Sequence, residues 1–254
     1  MIQTVTRPSV RAALQGRPPL PPAAEDDARQ VLAWAVETFG ERLLVASSLG
    51  PQTTIVLDLL HRMGRSVRTV FLDTDLHFPE TYALKRTLET RYGIEIEAAR
   101  PALDVAEQAA RFGPALWETQ PDRCCALRKV EPLRELLGGA EAWITGLRRS
   151  QGRARSQTQT VEWDEQYGLV KINPLAGWSR AQVERYTRVH ELPRNGLREQ
   201  GYTSVGCWPC TRPATDDDER SGRWAGFAKT ECGLHLGTVR GATVGETSLE
   251  GGVR

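Results

Sequence analysis

The chain has 254 residues, of which 40% are hydrophobic, so it can form one large or two small globular domains and is not a disordered chain. Its 33 Lys and Arg residues against 32 Asp and Glu residues leave a formal net charge of +1, which excludes a globally basic nucleic-acid coat and a strongly acidic tail. No apolar run approaches the roughly 18 residues of a membrane span, and five cysteines are too few for a disulfide scaffold. We therefore expect a cytoplasmic protein with no membrane partner.

Prolines dominate the start of the chain, where the first two dozen residues contain Pro8, Pro18, Pro19, Pro21 and Pro22. Because proline has no backbone N–H and breaks regular ladders, we expect a flexible arm over residues 1–24. Residues 236–254 have no apolar periodicity, which predicts a flexible tail. The chain between them, residues 25–235, is expected to form a single α/β domain.

Strand and helix patterns alternate along this domain. Val31, Trp34 and Ala35 show the spacing of an amphipathic helix, and a short apolar run follows it. The predicted strands are 43–46, 67–72, 94–98, 142–145 and 169–172, and the predicted helices are 26–39, 53–63, 79–92, 103–112 and 123–137. This alternation predicts a mostly parallel, twisted sheet with helices on both faces, followed by an irregular segment that contains cysteines.

Three loops after predicted strands have side chains suited to a nucleotide, which binds at the carboxyl ends of parallel strands. Loop 47–54 is small and polar and precedes a helix N-terminus, but it lacks the Gly-Lys-Ser/Thr ending of a Walker A loop. Asp73 in loop 73–82 can accept hydrogen bonds from a nucleoside or cap a helix. Loop 146–155 contains four arginines, which suit phosphate or sulfate unless they are simply solvated.

Four cysteines form two close pairs, Cys124-Cys125 and Cys207-Trp-Pro-Cys210. Two such pairs far apart in sequence are typical of four ligands around one metal centre, although a lone Cys-x-x-Cys can also be a redox dithiol. Adjacent cysteines are not the spaced pattern of a structural zinc site, so the spacing favours an iron–sulfur cluster.

The fifth cysteine, Cys232, lies between Lys229 and His235, with Arg220 and Arg223 upstream. Nearby positive charge favours a thiolate, which is the setting of a nucleophile. The alternative is a solvent-exposed thiol with no role.

Five segments together resemble the assimilatory sulfonucleotide reductases in both sequence and order: 73–82, 146–151, 171–175, 201–206 and the Glu-Cys-Gly-Leu-His of 231–235. The similarity runs from about residue 43 to residue 236. It implies a Rossmann-like fold of the adenine-nucleotide alpha-hydrolase type. The two cysteine pairs resemble the branch of adenylyl-sulfate (APS) reductases with a [4Fe–4S] cluster, since typical 3′-phosphoadenylyl-sulfate (PAPS) reductases lack them.

The resemblance implies a reaction: thioredoxin-dependent reduction of APS to sulfite and AMP, through an S-sulfocysteine. The implied catalytic residues are Cys232, Lys129 and His235. The implied substrate-binding residues are Ser47, Ser48, Gly50, Asp73, Gly146, Arg148, Arg149, Arg220 and Arg223. The implied cluster ligands are Cys124, Cys125, Cys207 and Cys210.

Three alternatives stay open at this stage. A cluster-bearing reductase can accept PAPS, because one extra phosphate needs only one or two more cations. An ATP-dependent adenylating or thiolating enzyme is less favoured, because loop 47–54 has no acidic residue for magnesium. A zinc-stabilised nucleic-acid module is disfavoured by the near-zero net charge, so no nucleic-acid partner is expected. Whether the chain forms a homo-oligomer is left open.

Overall fold

The structure is a computed structural model and describes residues 10–21, 27–216, 218–227 and 229–235. Its strands are Leu43–Ser47 (β1), Arg68–Leu72 (β2), Ile96–Ala99 (β3), Ala142–Ile144 (β4), Val161–Asp164 (β5) and Leu169–Ile172 (β6). Its α-helices are Val10–Ala13 (α1), Ala28–Phe39 (α2), Pro51–Arg62 (α3), Pro79–Tyr92 (α4), Val105–Phe112 (α5), Leu116–Thr119 (α6), Pro121–Cys125 (α7), Glu131–Leu137 (α8) and Arg180–Val189 (α9). None of the described helices is long and apolar enough to cross a membrane.

The six strands form one sheet in the order β3-β2-β1-β4-β6-β5, and every neighbouring pair except β5–β6 is parallel. The apolar strands are buried because helices cover both faces. On one face Val45, Ile144 and Ile172 pack in a core that includes residues of α2 and α3. On the other face Leu44 and Trp143 pack with residues of α8. The structure confirms the predicted α/β class and the mostly parallel sheet.

Strand β5 and the middle of the predicted helix 123–137 depart from the prediction. Strand β5 was not predicted, because a half-buried edge strand of four residues has too short a pattern, and it pairs antiparallel with β6. The predicted helix 123–137 is helical throughout but contains a π-helical stretch, Ala126–Val130, between α7 and α8. Pro132 in the first turn of α8 has no N–H to donate, and a local change of helical hydrogen bonding accommodates it.

Part of the predicted arm lies within the described residues, and there it packs against the domain. Leu14 and Leu20 contact the core, and Trp34 Nε1 donates to the carbonyl oxygen of Pro18 at 2.8 Å. A proline lacks a donor but keeps its acceptor, so residues 10–21 differ from the loose arm expected from their composition. Residues 1–9 and 22–24 of that arm, and the predicted tail 236–254, lie outside the described residues.

Candidate active site

A cavity lies beyond the carboxyl ends of β1 and β4, and its empty volume, with its open mouth included, is about 1450 Å³. Strand order reverses between these two strands, since β2 and β3 extend the sheet on one side of β1 and β4 extends it on the other. Parallel sheets bind ligands at such a switch point, because the loops diverge there and leave a crevice.

The loop after β1 forms one wall of the cavity, and Ser47, Ser48 and Gly50 line it as predicted. Ser47 Oγ accepts a hydrogen bond from the Leu49 amide at 3.0 Å, which tightens the turn into α3. Gly50 caps α3, whose first-turn N–H groups point towards the cavity end of the helix.

The loop after β4 approaches this turn closely at Gly146. A Cβ atom at Gly146 would lie 2.9 Å from Gln52 Cβ, so a larger residue would force the two loops apart. Gly146 lines the cavity, in agreement with its predicted place.

Arg220 and Arg223 extend from the C-terminal region, residues 193–235, into the same cavity. Arg223 Nη1 contacts Ser204 Oγ at 3.4 Å, whereas its buried Nε has no partner within the described residues. Its guanidinium packs so close to Gly206 that a Cβ atom at that position would clash with Nη2. Burial and the neighbouring Arg155 lower the pKa of Arg220 to about 10. This is a cationic wall with unused donors, which suits an anion.

Lys129 and Cys232 complete this wall. The Lys129 side chain is buried; burial alone would lower its pKa, but the thiolate charges of Cys207, Cys232 and Cys125 raise it above its usual range. Cys232 is free and half-buried. A half-buried thiol beside a buried ammonium can act as a nucleophile towards a ligand in the cavity.

Three of the residues expected to bind the substrate are not among those that line the cavity. Arg148 is fully buried behind the wall, where Glu219 accepts from its Nη2 at 2.7 and 3.0 Å. Arg149 is exposed and donates to the Thr158 carbonyl oxygen. Asp73 accepts from the Tyr82 hydroxyl at 2.6 Å and pairs with Arg100. Each side chain is already bonded within the protein.

The four paired cysteines line a second, smaller cavity, which confirms that the fold brings the two pairs together. Lys129 and Trp224 line both cavities and therefore form the wall between them. Thr74 Oγ1 lies 3.2 Å from Cys207 Sγ. Burial would raise the pKa of Cys207, but Lys129, the Thr74 hydrogen bond and Arg223 together lower it.

The chemistry of this second cavity suits a thiolate-bound metal group. Among the residues that the structure describes, no three His, Cys, Asp or Glu side chains are spaced as ligands of one metal ion. Burial, with Cys207 and Cys210, raises the pKa of Cys124 to about 11, so this thiol must release its proton when a metal group binds. Arg128 and Lys129 line the cavity and supply positive charge that can offset the charge of bound thiolates.

His235 lies in the cavity wall but is packed as an aromatic ring. Its ring stacks on Trp143, with centroids 5.6 Å apart and planes 20° apart. Burial, Lys171, Arg155 and Arg220 lower the pKa of His235 well below its usual value, so the ring is uncharged near neutral pH. The stacked ring therefore docks the end of the C-terminal region against β4.

Several residues that line the cavity beside the predicted site residues were not predicted from the sequence. Arg155 and Gln151 line the cavity, whereas the two arginines predicted from the same loop do not. Arginine density was the only signal in that loop, and it does not indicate which side chain turns inward. Glu231 pairs with both Arg155 and Arg220, an acidic partner that the sequence pattern did not reveal.

Comparison with known proteins places this architecture in a family. The family model described as the phosphoadenosine phosphosulfate reductase domain matches residues 42–213. Adenosine 5'-phosphosulfate reductase 1 of Bacillus subtilis is 48% identical over 217 residues, covering 83% of this chain and 93% of the relative. Phosphoadenosine 5'-phosphosulfate reductase of Gloeobacter violaceus is 47% identical over 209 residues, covering 81% and 87%.

A solved structure agrees with this placement. The crystal structure of phosphoadenylyl-sulfate (PAPS) reductase from Candida auris, in a phosphate complex, aligns with a TM-score of 0.67 at 33% identity, covering 75% of this chain and 93% of that one. The family model's match, residues 42–213, covers the sheet, both loops of the cavity and the two cysteine pairs, which confirms the family resemblance seen in the sequence. The chain therefore belongs to the phosphoadenosine phosphosulfate reductase domain family, the sulfonucleotide reductases.

Proposed function

We infer that the protein reduces adenosine 5'-phosphosulfate to sulfite and AMP, with Cys232 as the nucleophile. The convergence of Cys232, Lys129, Arg220 and Arg223 on one cavity at the switch point of the sheet carries this proposal. The Bacillus relative, whose name specifies this nucleotide, supports the choice of substrate.

The cations explain how a thiolate could approach this substrate. A phosphosulfate is negatively charged, so an attacking thiolate is repelled unless fixed positive groups offset the charge. Lys129, Arg220 and Arg223 supply these groups, and the N-terminus of α3 adds unpaired N–H donors. The Cys232 thiolate attacks the sulfur, the bond from sulfur to the phosphate oxygen breaks, and AMP leaves with that electron pair.

The S-sulfocysteine that remains needs a two-electron reductant, for which we propose a dithiol protein of the thioredoxin type. One of its thiolates attacks Cys232 Sγ, and sulfite leaves with the electron pair of the broken sulfur–sulfur bond. The second thiol resolves the mixed disulfide, so the dithiol is oxidised and Cys232 is regenerated. Free cysteines and a thiol reductant fit a reducing compartment, which supports a cytoplasmic location.

The second cavity supports a [4Fe–4S] cluster held by Cys124, Cys125, Cys207 and Cys210. In such a cluster each thiolate binds a different iron, so its ligands surround a wider cage than those of one zinc ion. When bound, the cluster would supply negative charge beside Lys129 and could carry one electron. The two electrons of the proposed reaction come entirely from the dithiol.

A second candidate substrate is 3′-phosphoadenylyl sulfate, the nucleotide in the name of the Gloeobacter relative. Arg194 and Arg198 also line the cavity and could bind an extra phosphate. Glu184 pairs with both arginines, at 2.6 Å from Arg198 and at 3.7 Å from Arg194, whose side chain is 42% exposed.

The test is to purify the protein without oxygen and measure sulfite release from each nucleotide separately, with thioredoxin as the reductant. We expect faster release from adenosine 5'-phosphosulfate. Faster release from the 3′-phosphorylated nucleotide would favour the second candidate. Release from neither, in protein that retains iron, would contradict both.

A further inference from the structure

Cys232 is flanked by two residues that are each bonded to a different part of the domain. The Cys232 segment, residues 229–235, has no regular secondary structure, so its position depends on these contacts together with the packing of Leu234 and His235 on the core. The residue before Cys232 is Glu231, and the residue after it is Gly233.

On the N-terminal side, Glu231 is bound by two arginines. Its carboxylate accepts from Arg155 Nε at 2.7 Å and Nη2 at 2.8 Å, and from Arg220 Nη2 at 3.1 Å. The side chain is only 9% exposed. Arg155 Nη1 also donates to Gln151 Oε1 at 2.7 Å, so all three guanidinium nitrogens of Arg155 bond within the protein.

On the C-terminal side, the Gly233 carbonyl oxygen accepts from Gln166 Nε2 at 2.8 Å. Gln166 lies in the turn between β5 and β6, where its backbone N–H donates to Asp164 Oδ1 at 3.0 Å. The turn is closed by the Gly168 amide, which donates to the Asp164 carbonyl oxygen at 2.7 Å. A fixed turn therefore presents the side-chain amide of Gln166 to the Cys232 segment.

We propose that Gln166 and Glu231 are positioning residues that clamp Cys232 at the cavity from both sides. The proposal rests on the proposed role of Cys232 as the nucleophile. An attacking thiolate needs a fixed approach, because small displacements of a reacting group are costly. The same sulfur must later meet a protein reductant, which polar anchors permit because they can open locally without unfolding the sheet.

The test measures alkylation of Cys232 by iodoacetamide in the full-length protein, purified without oxygen and analysed by peptide mass spectrometry. Rates are compared at their high-pH plateau, where the thiol is ionised, so that a change in charge near Cys232 does not imitate a change in access. Gln166→Met keeps the side-chain length but removes the donor, and Glu231→Gln keeps the shape but removes the charge. Gln200→Met and Glu199→Gln are matched controls at exposed positions.

We expect Gln166→Met to raise the plateau rate at Cys232 by roughly three- to tenfold, and Glu231→Gln to raise it further, since its bonds are charge-assisted. The two controls should react like the parent protein. Unchanged Cys232 alkylation in both clamp variants would overturn the proposal. A general rise at all five cysteines would also overturn it, because that indicates unfolding.

A kinetic measurement separates positioning from a merely structural role. Gln166→Met should lower kcat for sulfite formation while KM changes little, because Gln166 does not line the cavity. Increased alkylation with unchanged kcat would overturn the role in positioning. If the parent protein releases no sulfite, the proposed function fails, but the alkylation rates still decide whether the clamp exists.

Discussion

Two regions of the chain meet at the cavity and are held in place by different forces. The sheet buries apolar side chains such as Val45, Phe71 and Ile144 completely, and helices cover it on both faces. The C-terminal region also buries Trp224, but polar pairs tie it to the domain, among them Arg148–Glu219 and Arg155–Glu231. Apolar burial gives a scaffold that unfolds as a unit, whereas a segment anchored by polar contacts can open by itself.

The difference follows from what each region does in the proposed reaction. The sheet presents loop backbones at a fixed edge, and a rigid scaffold serves that purpose. The Cys232 segment must approach the nucleotide and then a protein reductant, so it has to move between two partners. Substitutions in the two regions should therefore damage either the reaction or the scaffold.

The largest effect is expected from Cys232→Ser in the C-terminal region. Sulfite formation should fall by at least about a thousandfold, because a serine hydroxyl is a far weaker nucleophile than a thiolate. Circular dichroism and iron content should match the parent protein, since Cys232 belongs to neither the core nor the four paired cysteines. Substantial turnover by this variant would contradict the assignment.

Phe71→Ala should have the opposite effect, with a loss of stability and little loss of activity. Phe71 is fully buried on β2, so we expect the free energy of unfolding to fall by about 3–5 kcal/mol. Activity per folded molecule should persist, because Phe71 does not line the cavity. Phe227→Ala is the matched control: Phe227 is 37% exposed in the C-terminal region, and its loss should cost less than about 1 kcal/mol in denaturant unfolding. Equal losses of the free energy of unfolding in Phe71→Ala and Phe227→Ala would contradict the contrast between the two regions.

A smaller effect on activity is expected from Arg223→Lys. Lysine keeps the positive charge but loses the planar fork of donors, so kcat/KM should fall by about tenfold to a hundredfold. Arg212→Lys, at an exposed position outside the cavity lining, should leave kcat/KM unchanged. An unaffected Arg223→Lys variant would show that only the charge matters there.

The smallest effect concerns pH and the docking of His235. The pKa of His235 is lower in the folded chain than in the unfolded chain. At a pH below the ordinary histidine pKa, the unfolded chain therefore binds a proton at His235 that the folded chain does not bind. Stability is therefore full above that ordinary value of about 6.5 and falls as the pH drops below it. His235→Phe should show a smaller fall in Tm between about pH 7.5 and pH 5.5. The same fall in both proteins would mean that the ring is not docked while uncharged.

Much of the fold could be predicted because its signals are local. Runs such as 43–46 and 169–172 are apolar over a strand length, and the structure places β1 and β6 there. Ser47, Ser48, Gly50 and Gly146 could be predicted as well, because residues after parallel strands must lie at one edge of the sheet. Strand β5 could not be predicted, since its pairing with β6 rather than its composition makes it a strand.

The α/β alternation, the loops that line the cavity and the two cysteine pairs follow from the amino-acid sequence, because each depends on residue type within a short stretch. Tertiary structure alone decided which charged residues are available to a ligand. Arg148 is paired with Glu219, 71 residues away, and Arg155 with Glu231, 76 residues away. Such partners are set by how the C-terminal region folds back over the sheet. A local sequence pattern identifies an arginine but not the distant carboxylate that pairs with it. Because these pairs are buried, the pairing decides whether the arginine is available to a ligand.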